Sequence, residues 1–517
     1  MKILSLNQIR KADQYCIDSE SISSIQLMER AAKNCFNWII RHKYFQVKKI
    51  PFIVLVGNGN NGGDGLFLSE MLRSYGATVS VYIVNISNHF SNEFFIKKNQ
   101  ILQHKINYQK INENEEFPIL NEKSYLIDAI FGIGFNRPIN NKYWKSFFHY
   151  INKKKFKSVI SIDIPSGLFI EKDNENFEEI IKATHTLTFQ IPKLPLLLPN
   201  YEDYIGKWYL INIGWKDDFI QKIQTDNFYI DNMCIHAIYK KKRRKKFSHK
   251  GNYGHGIIVG GSFGMIGSVI LSAIASFRTG IGKLSIYVPN CGYEMIQNTL
   301  PEAIVNTDKN KHWISNIDLD LDNENINAIG IGMGIGFHPK TRYAVESLLL
   351  KLKNKKIPMV IDADAINILS HKLELLDILP EGTILTPHPK EFQRLLCISW
   401  KNDYEKLFFL KKMSIKYKIF IVLKGAHSVI STPIGHLYFN STGNAGMSTA
   451  GSGDVLTGMI MSLLSQGYSS KESCIMGVYL HGLAGDIASK KLSQEAIIAN
   501  DIVNHIGKAY LQIKIWN

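Results

Sequence analysis

The stretch Ile53-Val54-Leu55-Val56-Gly57-Asn58-Gly59-Asn60-Asn61-Gly62-Gly63-Asp64-Gly65 joins a short apolar run to a segment, Leu66 to Tyr75, with helical spacing. Four consecutive apolar residues that end at glycine predict a buried strand, and the change of period predicts a helix beyond it. The glycine loop between them contains GxGxxG. Alone that pattern is weak, because a dinucleotide fingerprint also needs an acidic residue about 20 positions on. The next predicted strand, Val79–Val84, ends at Asn85 without one. What remains is a set of Gly and Asn residues whose backbone N–H groups converge at a helix N-terminus, which suits an anionic phosphate.

The same alternation continues outward. Tyr125-Leu126-Ile127-Asp128 and Val159-Ile160-Ser161-Ile162-Asp163 read as strands that close on a carboxylate. Glycine loops follow both, Gly132-Ile133-Gly134-Phe135 and Pro165-Ser166-Gly167. Strands alternating with helices predict a parallel sheet covered on both faces. In such sheets ligands sit outside the carboxyl ends of the strands. A single Asp there is more often a cap or turn former; three such loops in one domain argue for a shared cleft.

The second half repeats the plan with Gly256–Val259, Leu284–Val288, Pro358–Asp362, Thr383–Thr386 and Phe420–Leu423 as strands. The fold class expected is α/β, with two three-layer domains. Gly443 to Asp454, rich in small residues and ending Gly451-Ser452-Gly453-Asp454, precedes the apolar helix Val455–Leu464. Amides at that helix start form an anion hole for a transferring phosphoryl group. The Asp454 carboxylate can accept a hydroxyl proton, and the helix dipole predicts that it is ionised at neutral pH. No GxxxxGK[ST] occurs, which excludes the P-loop route to nucleotide binding. Lys424-Gly425-Ala426-His427-Ser428, His388 between two prolines, Asp362-Ala363-Asp364 and Gly332-Met333-Gly334-Ile335-Gly336 fill out the same edge.

Lys240 to Lys246 are seven consecutive cations. Such runs repel and are usually solvated, so the expectation is a domain over 1–230, a basic linker over 231–247 and a second domain over 248–517. The whole chain carries 61 Lys and Arg against 45 Asp and Glu, a net charge of +16. Lys is frequent throughout, so the excess reads as compositional bias rather than a nucleic-acid surface. Hydrophobic residues at 45% exclude extended disorder. The six Cys are scattered, which excludes a disulfide scaffold or zinc finger and fits a reducing cytosol. The opening Met1–Arg10 reaches charge too soon for a signal peptide. Ile257–Phe277 is charge-free for 21 residues, but eight of these are Gly or Ser, which fits strand, turn and helix better than a membrane span. A cytoplasmic homo-oligomer is expected, acting on small molecules, with neither nucleic acid nor membrane as partner.

Leu27-Met28-Glu29-Arg30-Ala31, Asn60 to Gly65, Asp128-Ala129-Ile130-Phe131-Gly132 and Asp163-Ile164-Pro165-Ser166-Gly167 resemble, in order, the motifs of the NAD(P)H-hydrate epimerase family. The resemblance covers roughly residues 1–215 and implies a Rossmann-like domain that interconverts the R and S forms of hydrated NADH and NADPH, with a bound potassium ion. It implies that Asn60, Asn61, Gly62, Gly63 and Asp64, with Gly132, Ile133, Gly134, Phe135, Asn136, Arg137 and Pro138, hold the hydrate. Asn61, Asp128 and Ser166 are the implied potassium ligands, and Asp163 and Lys193 the catalytic pair. Phe169 stands where the family commonly has Asp.

The second half resembles the ADP- or ATP-dependent NAD(P)H-hydrate dehydratase family, a ribokinase-like branch. His249-Lys250-Gly251 followed by Val259-Gly260-Gly261-Ser262 matches its opening. The resemblance implies nucleotide binding by Lys424, Gly425, Ala426, His427, Ser428 and Gly453, with magnesium. It implies that Ser268, Gly334, Gly336, His388 and Asp454 face the hydrate, with Asp454 catalytic. Ser268 stands where the family usually has Ala. Together the halves resemble the bifunctional NAD(P)H-hydrate repair family, which epimerises the hydrate, phosphorylates its hydroxyl and eliminates phosphate. Two alternatives stay open: a ribokinase-like small-molecule kinase in the second half, and a nucleic-acid-binding protein recruited by the basic run.

Overall fold

The computed structural model describes residues 1–87, 89–103, 108–321 and 325–514. The chain forms two compact units, an N-terminal one of Lys2–Thr225 with Asn402–Tyr404, and a C-terminal one of Asp226–Lys401 with Met1 and the chain from Glu405 onward.

The N-terminal unit is built on strands β1 (Phe52–Val56), β2 (Val79–Val84), β3 (Tyr108–Ile111), β4 (Tyr125–Ala129), β5 (Ser158–Ile162), β6 (His185–Phe189) and β7 (Lys207–Ile211). They lie in the order β3-β2-β1-β4-β5-β6-β7, and every neighbouring pair is parallel. The order reverses at β1 and β4, so the crevice beyond their carboxyl ends is the expected ligand position. β1 is apolar at every position because both faces are covered. Phe52, Val54 and Val56 enter one core layer with Met28, Cys35 and Leu66. Ile53 and Leu55 enter the other with Leu126, Trp144 and Phe147.

The glycine loop is shorter than the sequence suggests. A helix runs over Asn60–Ser74, so Asn60 to Asp64 lie in its first turns. Two glycines make this packing possible. A Cβ on Gly57 would meet the Ile130 carbonyl oxygen at 2.1 Å, and one on Gly62 would meet the Gly57 carbonyl oxygen at 1.9 Å. No side chain fits either place.

The C-terminal unit contains β8 (Asn227–Tyr229), β9 (His255–Val259), β10 (Lys283–Val288), β11 (Ile304–Thr307), β12 (Ala328–Ile331), β13 (Met359–Ile361), β14 (Ile384–Leu385), β15 (Phe420–Leu423), β16 (Val429–Ser431) and β17 (Leu437–Phe439). Their order is β8-β17-β16-β15-β14-β13-β12-β9-β10-β11. The run from β15 to β11 is parallel, and β15–β16–β17 is an antiparallel meander. The charge-free stretch 257–277 is part of β9, a turn and most of the helix Ile266–Thr279. Among the described residues no helix is long and apolar enough to cross a membrane.

The expected linker at 231–247 is corrected. The boundary falls after Thr225, and most of that segment is the helix Asn232–Lys241, capped by the Asp231 side chain. Ile235 and Ile238, one turn apart, are buried in the core of the C-terminal unit. Nor is the basic run merely solvated. Lys241 pairs with Glu472 at 2.7 Å. Lys242 Nζ donates to the Gln466 carbonyl at 3.4 Å, and Arg244 donates to the Gly280 carbonyl. Gly280 and Gln466 are the C-caps of the helices Ile266–Thr279 and Ser452–Ser465. Cations there complement the helix dipoles, each by about 0.3–1 kcal/mol. Replacing Lys242 and Arg244 together with Gln is therefore expected to lower the melting temperature of this unit by about 1–8 °C at low salt, and by less at high salt, with turnover at 25 °C unchanged. An unchanged melting curve would show that these contacts contribute nothing.

Candidate active sites

In the N-terminal unit the implied residues gather at the carboxyl ends of β1, β4, β5 and β6. Asp128, fully buried, accepts from Ser161 Oγ at 2.8 Å, Ser166 N at 2.9 Å and Ser166 Oγ at 2.5 Å. Burial pushes its pKa up and these bonds pull it back. Ser166 Oγ also accepts from Phe131 N at 2.8 Å. Asn61 packs against Gly132, whose Cβ would lie 3.2 Å from Asn61 Cγ. The Asn61 side-chain nitrogen is buried without a hydrogen-bond partner.

Asp163 sits just past β5 with φ 65°, a left-handed conformation. Its Oδ1 lies 2.7 Å from Lys193 Nζ, and both side chains are buried. Lys193 Nζ also donates to the Phe189 carbonyl at 2.8 Å, and Phe189 N donates to Asp163 Oδ1 at 3.3 Å. Asp64 is buried in the glycine-loop helix, and burial, then Asp163 and Asp13, push its pKa well above the carboxylate range. Asp13 has no sequence signal that marks it out. It projects from the helix Leu6–Glu20 and accepts from Trp215 Nε1 at 2.8 Å. The loop Gly132–Pro138 is largely exposed. Phe135 within it stacks on Phe131 at 4.3 Å and on Phe169 at 5.5 Å, which gives Phe169 a packing role.

In the C-terminal unit Asp454 lies in the first turn of the helix Ser452–Ser465, after Gly451 in the left-handed region at φ 84°. A Cβ on Gly453 would lie 3.2 Å from Lys424 Nζ. Lys424 Nζ is 2.9 Å from Asp362 Oδ1, and Thr457 Oγ1 donates to Asp362 Oδ2 at 2.6 Å. Burial would lower the Lys424 pKa, but Asp362 and Glu391 outweigh it and raise it. Gly334 and Gly336 adopt φ 58° and 78°. A Cβ on Gly334 would lie 3.3 Å from Ser268 Cβ, and Gly336 N donates to Asp364 Oδ2 at 2.9 Å. Ser268, Gly334, Gly336, Asp364 and Asp454 thus lie close together.

The charge expected on Asp454 needs correcting. Its pKa is pushed up to about 7, first by burial and then by Asp362, against a hydrogen bond from Ser268 and the charge of Lys424. Tertiary burial outweighs the local dipole, so at neutral pH the group is divided between its two forms.

His388 caps the helix Pro389–Leu396. Its Nδ1 accepts from Lys390 N at 3.1 Å and Glu391 N at 3.3 Å. With Nδ1 accepting both bonds the ring proton sits on Nε2, and burial lowers the pKa. In the turn Gly425–Ser428, Gly425 and Ala426 are exposed, while His427 Nδ1 bonds to the Asn440 carbonyl at 2.7 Å. Sequence reasoning missed Thr457, Glu391 and His481. His481 Nε2 lies 3.4 Å from Ser452 Oγ, and burial lowers its pKa to about 4. Glu391 closes the Thr386–Glu391 stretch that carries His388, whereas Thr457 and His481 belong to no motif.

The profile of the family described as "NAD(P)H-hydrate dehydratase" matches residues 256–508, and that of "YjeF-related protein N-terminus" matches residues 24–195. The bifunctional NAD(P)H-hydrate repair enzyme Nnr of Dictyoglomus turgidum is 32% identical over 97% of both chains. The chain belongs to this family. Its Escherichia coli K12 member is 27% identical over 96% of this chain and 91% of its own. An ADP/ATP-dependent NAD(P)H-hydrate dehydratase from Bacillus subtilis, co-crystallised with ATP and magnesium, is 26% identical with a TM-score of 0.49, covering 56% of this chain and all of its own. The profile over 24–195 falls within the N-terminal unit, and that over 256–508 falls within the C-terminal unit except for Asn402–Tyr404.

Proposed function

We propose that the chain restores hydrated NADH and NADPH, with the N-terminal unit interconverting the R and S hydrates and the C-terminal unit dehydrating the S form at the expense of ADP or ATP. The observation that carries the second step is the placing of a carboxylate with a pKa of about 7 one residue from the Gly453 amide and beside Lys424 and Asp362. Asp454 takes the proton of the hydrate hydroxyl as its oxygen attacks the terminal phosphoryl group of ADP or ATP, whose bond to the rest of the nucleotide breaks to release AMP or ADP. The amides of Gly451 to Gly453 hold the developing charge, and Lys424 pairs with a phosphate. Phosphate then leaves with the C–O bonding pair, a ring proton is lost, and the double bond re-forms. His388 Nε2–H is the donor that orients the hydrate. A base titrating near the working pH is the efficient choice for such a transfer.

Two ions belong to this reading. Asn61, Asp128 and Ser166 are the oxygen ligands this reading gives a potassium ion in the N-terminal unit, and hard oxygen ligands suit an alkali cation. The lack of any partner for the buried Asn61 amide nitrogen leaves that side chain free to turn its oxygen to a ligand. Potassium there would neutralise the buried Asp128 and fix the Gly132 loop. In the C-terminal unit, magnesium would arrive on the nucleotide phosphates, with Asp362 or Asp364 as its protein oxygen. Among the described residues no group of three or more His, Cys, Asp or Glu side chains is arranged to hold a metal, which accords with a cation held mainly by phosphate and water. We infer a cytoplasmic site of action, a reading that the six free Cys support.

The test is direct. Purified S hydrate with ADP or ATP should yield NADH, read by its absorbance, with one phosphate released per turnover. A phosphorylated hydrate that accumulates without NADH would instead support a small-molecule kinase. Asp454 must be ionised to act as base, so dehydration should rise with pH through about 7. Ser268 lowers that pKa by its hydrogen bond. Ser268→Ala should therefore move the rising limb to higher pH while leaving the high-pH plateau in place. An unmoved limb would remove Asp454 as its source.

A further inference from the structure

We propose that Asp13, carried by the N-terminal helix Leu6–Glu20, is a second catalytic carboxylate of the epimerase cleft, working opposite the Asp163–Lys193 pair. This rests on the epimerase reading above and adds to it the group that completes the proton transfer.

The chemistry calls for two such groups. Water adds to a dihydronicotinamide, a cyclic enamine, with the hydroxyl on the carbon next to the ring nitrogen. Inverting that carbon requires the C–O bond to break. A carboxyl group gives its proton to the departing oxygen, which leaves as water, while the nitrogen lone pair forms a C=N⁺ bond. Water then adds to the opposite face and gives one proton to a carboxylate there. The ring nitrogen recovers its lone pair, and nothing is consumed. Each face needs one proton-handling group.

Asp163 can serve one face. It is held by Lys193 Nζ at 2.7 Å, and that ammonium is committed to this pair and to the Phe189 carbonyl. Lys193 is thus unavailable as a second acid. Asp64 and Asp13 are the remaining carboxyls in mutual electrostatic reach of Asp163. Asp64 is closed off inside the glycine-loop helix, and burial pushes its pKa well above the carboxylate range. Asp13 is half-buried, and the indole N–H of Trp215 fixes its Oδ1 at 2.8 Å. Its pKa is raised to about 6, first by burial, lowered by the Trp215 bond, raised by Asp163 and lowered by Lys193. A group of that strength both gives and recovers a proton near neutrality. Two carboxyls whose surroundings set them apart are the usual mark of an acid and a base. The charged groups facing Asp13 are therefore Asp163, Lys193 and Asp64. Asp218, on the helix Asp217–Lys222 that packs on the same N-terminal helix, is bonded to Tyr15 instead.

The test uses the full-length protein and one purified epimer without nucleotide, so that the dehydratase is idle. Appearance of the other epimer is followed by chromatography, with the spontaneous rate subtracted. From the epimer whose hydroxyl leaves on the Asp13 side, Asp13 must be protonated to act as the acid, so kcat/KM should fall as pH rises through about 6; from the other epimer Asp13 is the base, and kcat/KM should rise through the same range. Asp13→Asn keeps an oxygen for the Trp215 bond. It should lose roughly 10²–10⁴-fold of the rate and the falling limb with it, with dehydration of the S hydrate unchanged. Asp13→Glu should restore part of the rate. Trp215→Phe removes a bond that lowers the Asp13 pKa, so the limb should move to higher pH, which tests the same group without removing it. A normal rate in Asp13→Asn, or an unmoved limb in Trp215→Phe, overturns the assignment. Failure of the wild-type protein to interconvert the epimers at all would instead remove the epimerase reading on which this rests.

Discussion

Asp454→Asn should lose roughly 10²–10⁴-fold of the nucleotide-dependent dehydration rate while binding ADP or ATP at least as tightly as before. Asn keeps the backbone amides of the helix start and removes a negative charge beside Lys424 and Asp362. It is also as good a residue as Asp near a helix N-terminus. The fold should not suffer, because the carboxylate is held against burial in the native state and the amide is not. If Asp454 were merely a capping residue, turnover and melting temperature would both stay near normal. Turnover followed by NADH absorbance and affinity by calorimetry on this one variant separate the two. A stable, fully active Asp454→Asn protein would leave the base without an assignment.

Asp163→Asn should abolish R/S interconversion and leave dehydration of the S hydrate intact. Asn tolerates the left-handed conformation that Asp163 adopts at φ 65°, so the backbone has no reason to move. The buried partner Lys193 is left without its counter-charge. Breaking a buried pair from one side typically costs about 3–5 kcal/mol, so the N-terminal unit should also melt lower. Lys193→Met should do the same from the other side, leaving a buried carboxylate. Both activities can be measured on one preparation, and the C-terminal unit then serves as the internal control for a folded chain. Normal consumption of both epimers by Asp163→Asn, after spontaneous epimerisation is subtracted, would refute its role.

Much of this was legible before any coordinates. A strand apolar on both faces, a glycine loop and a following helix define a doubly covered parallel sheet, and β1 with the helix Asn60–Ser74 is that arrangement. The clefts were legible because their residues sit in motifs at strand ends. The short strands β8, β16 and β17 were not, since three-residue segments carry too little pattern to stand out. The helix Asn232–Lys241 was hidden by the cations that follow its apolar residues. Asp13, Thr457 and His481 look like any surface Asp, Thr or His until the fold brings them to the clefts. The ionisation of Asp454 was misjudged for the same reason. Its helix dipole is a local property visible in sequence, whereas its burial and the nearness of Asp362 are tertiary.

The central claim is that one chain carries two sites working in series on one molecule. A single progress curve tests it: an equal mixture of R and S hydrate with excess ATP, followed by NADH absorbance, for the wild-type protein and for Asp163→Asn. The wild-type curve should run to completion in one continuous phase. The Asp163→Asn curve should start at the same rate and break when the S form is spent, continuing at the slow spontaneous rate of epimerisation. Identical curves for the two proteins, or a variant that makes no NADH at all while remaining folded, would contradict two independent sites in series.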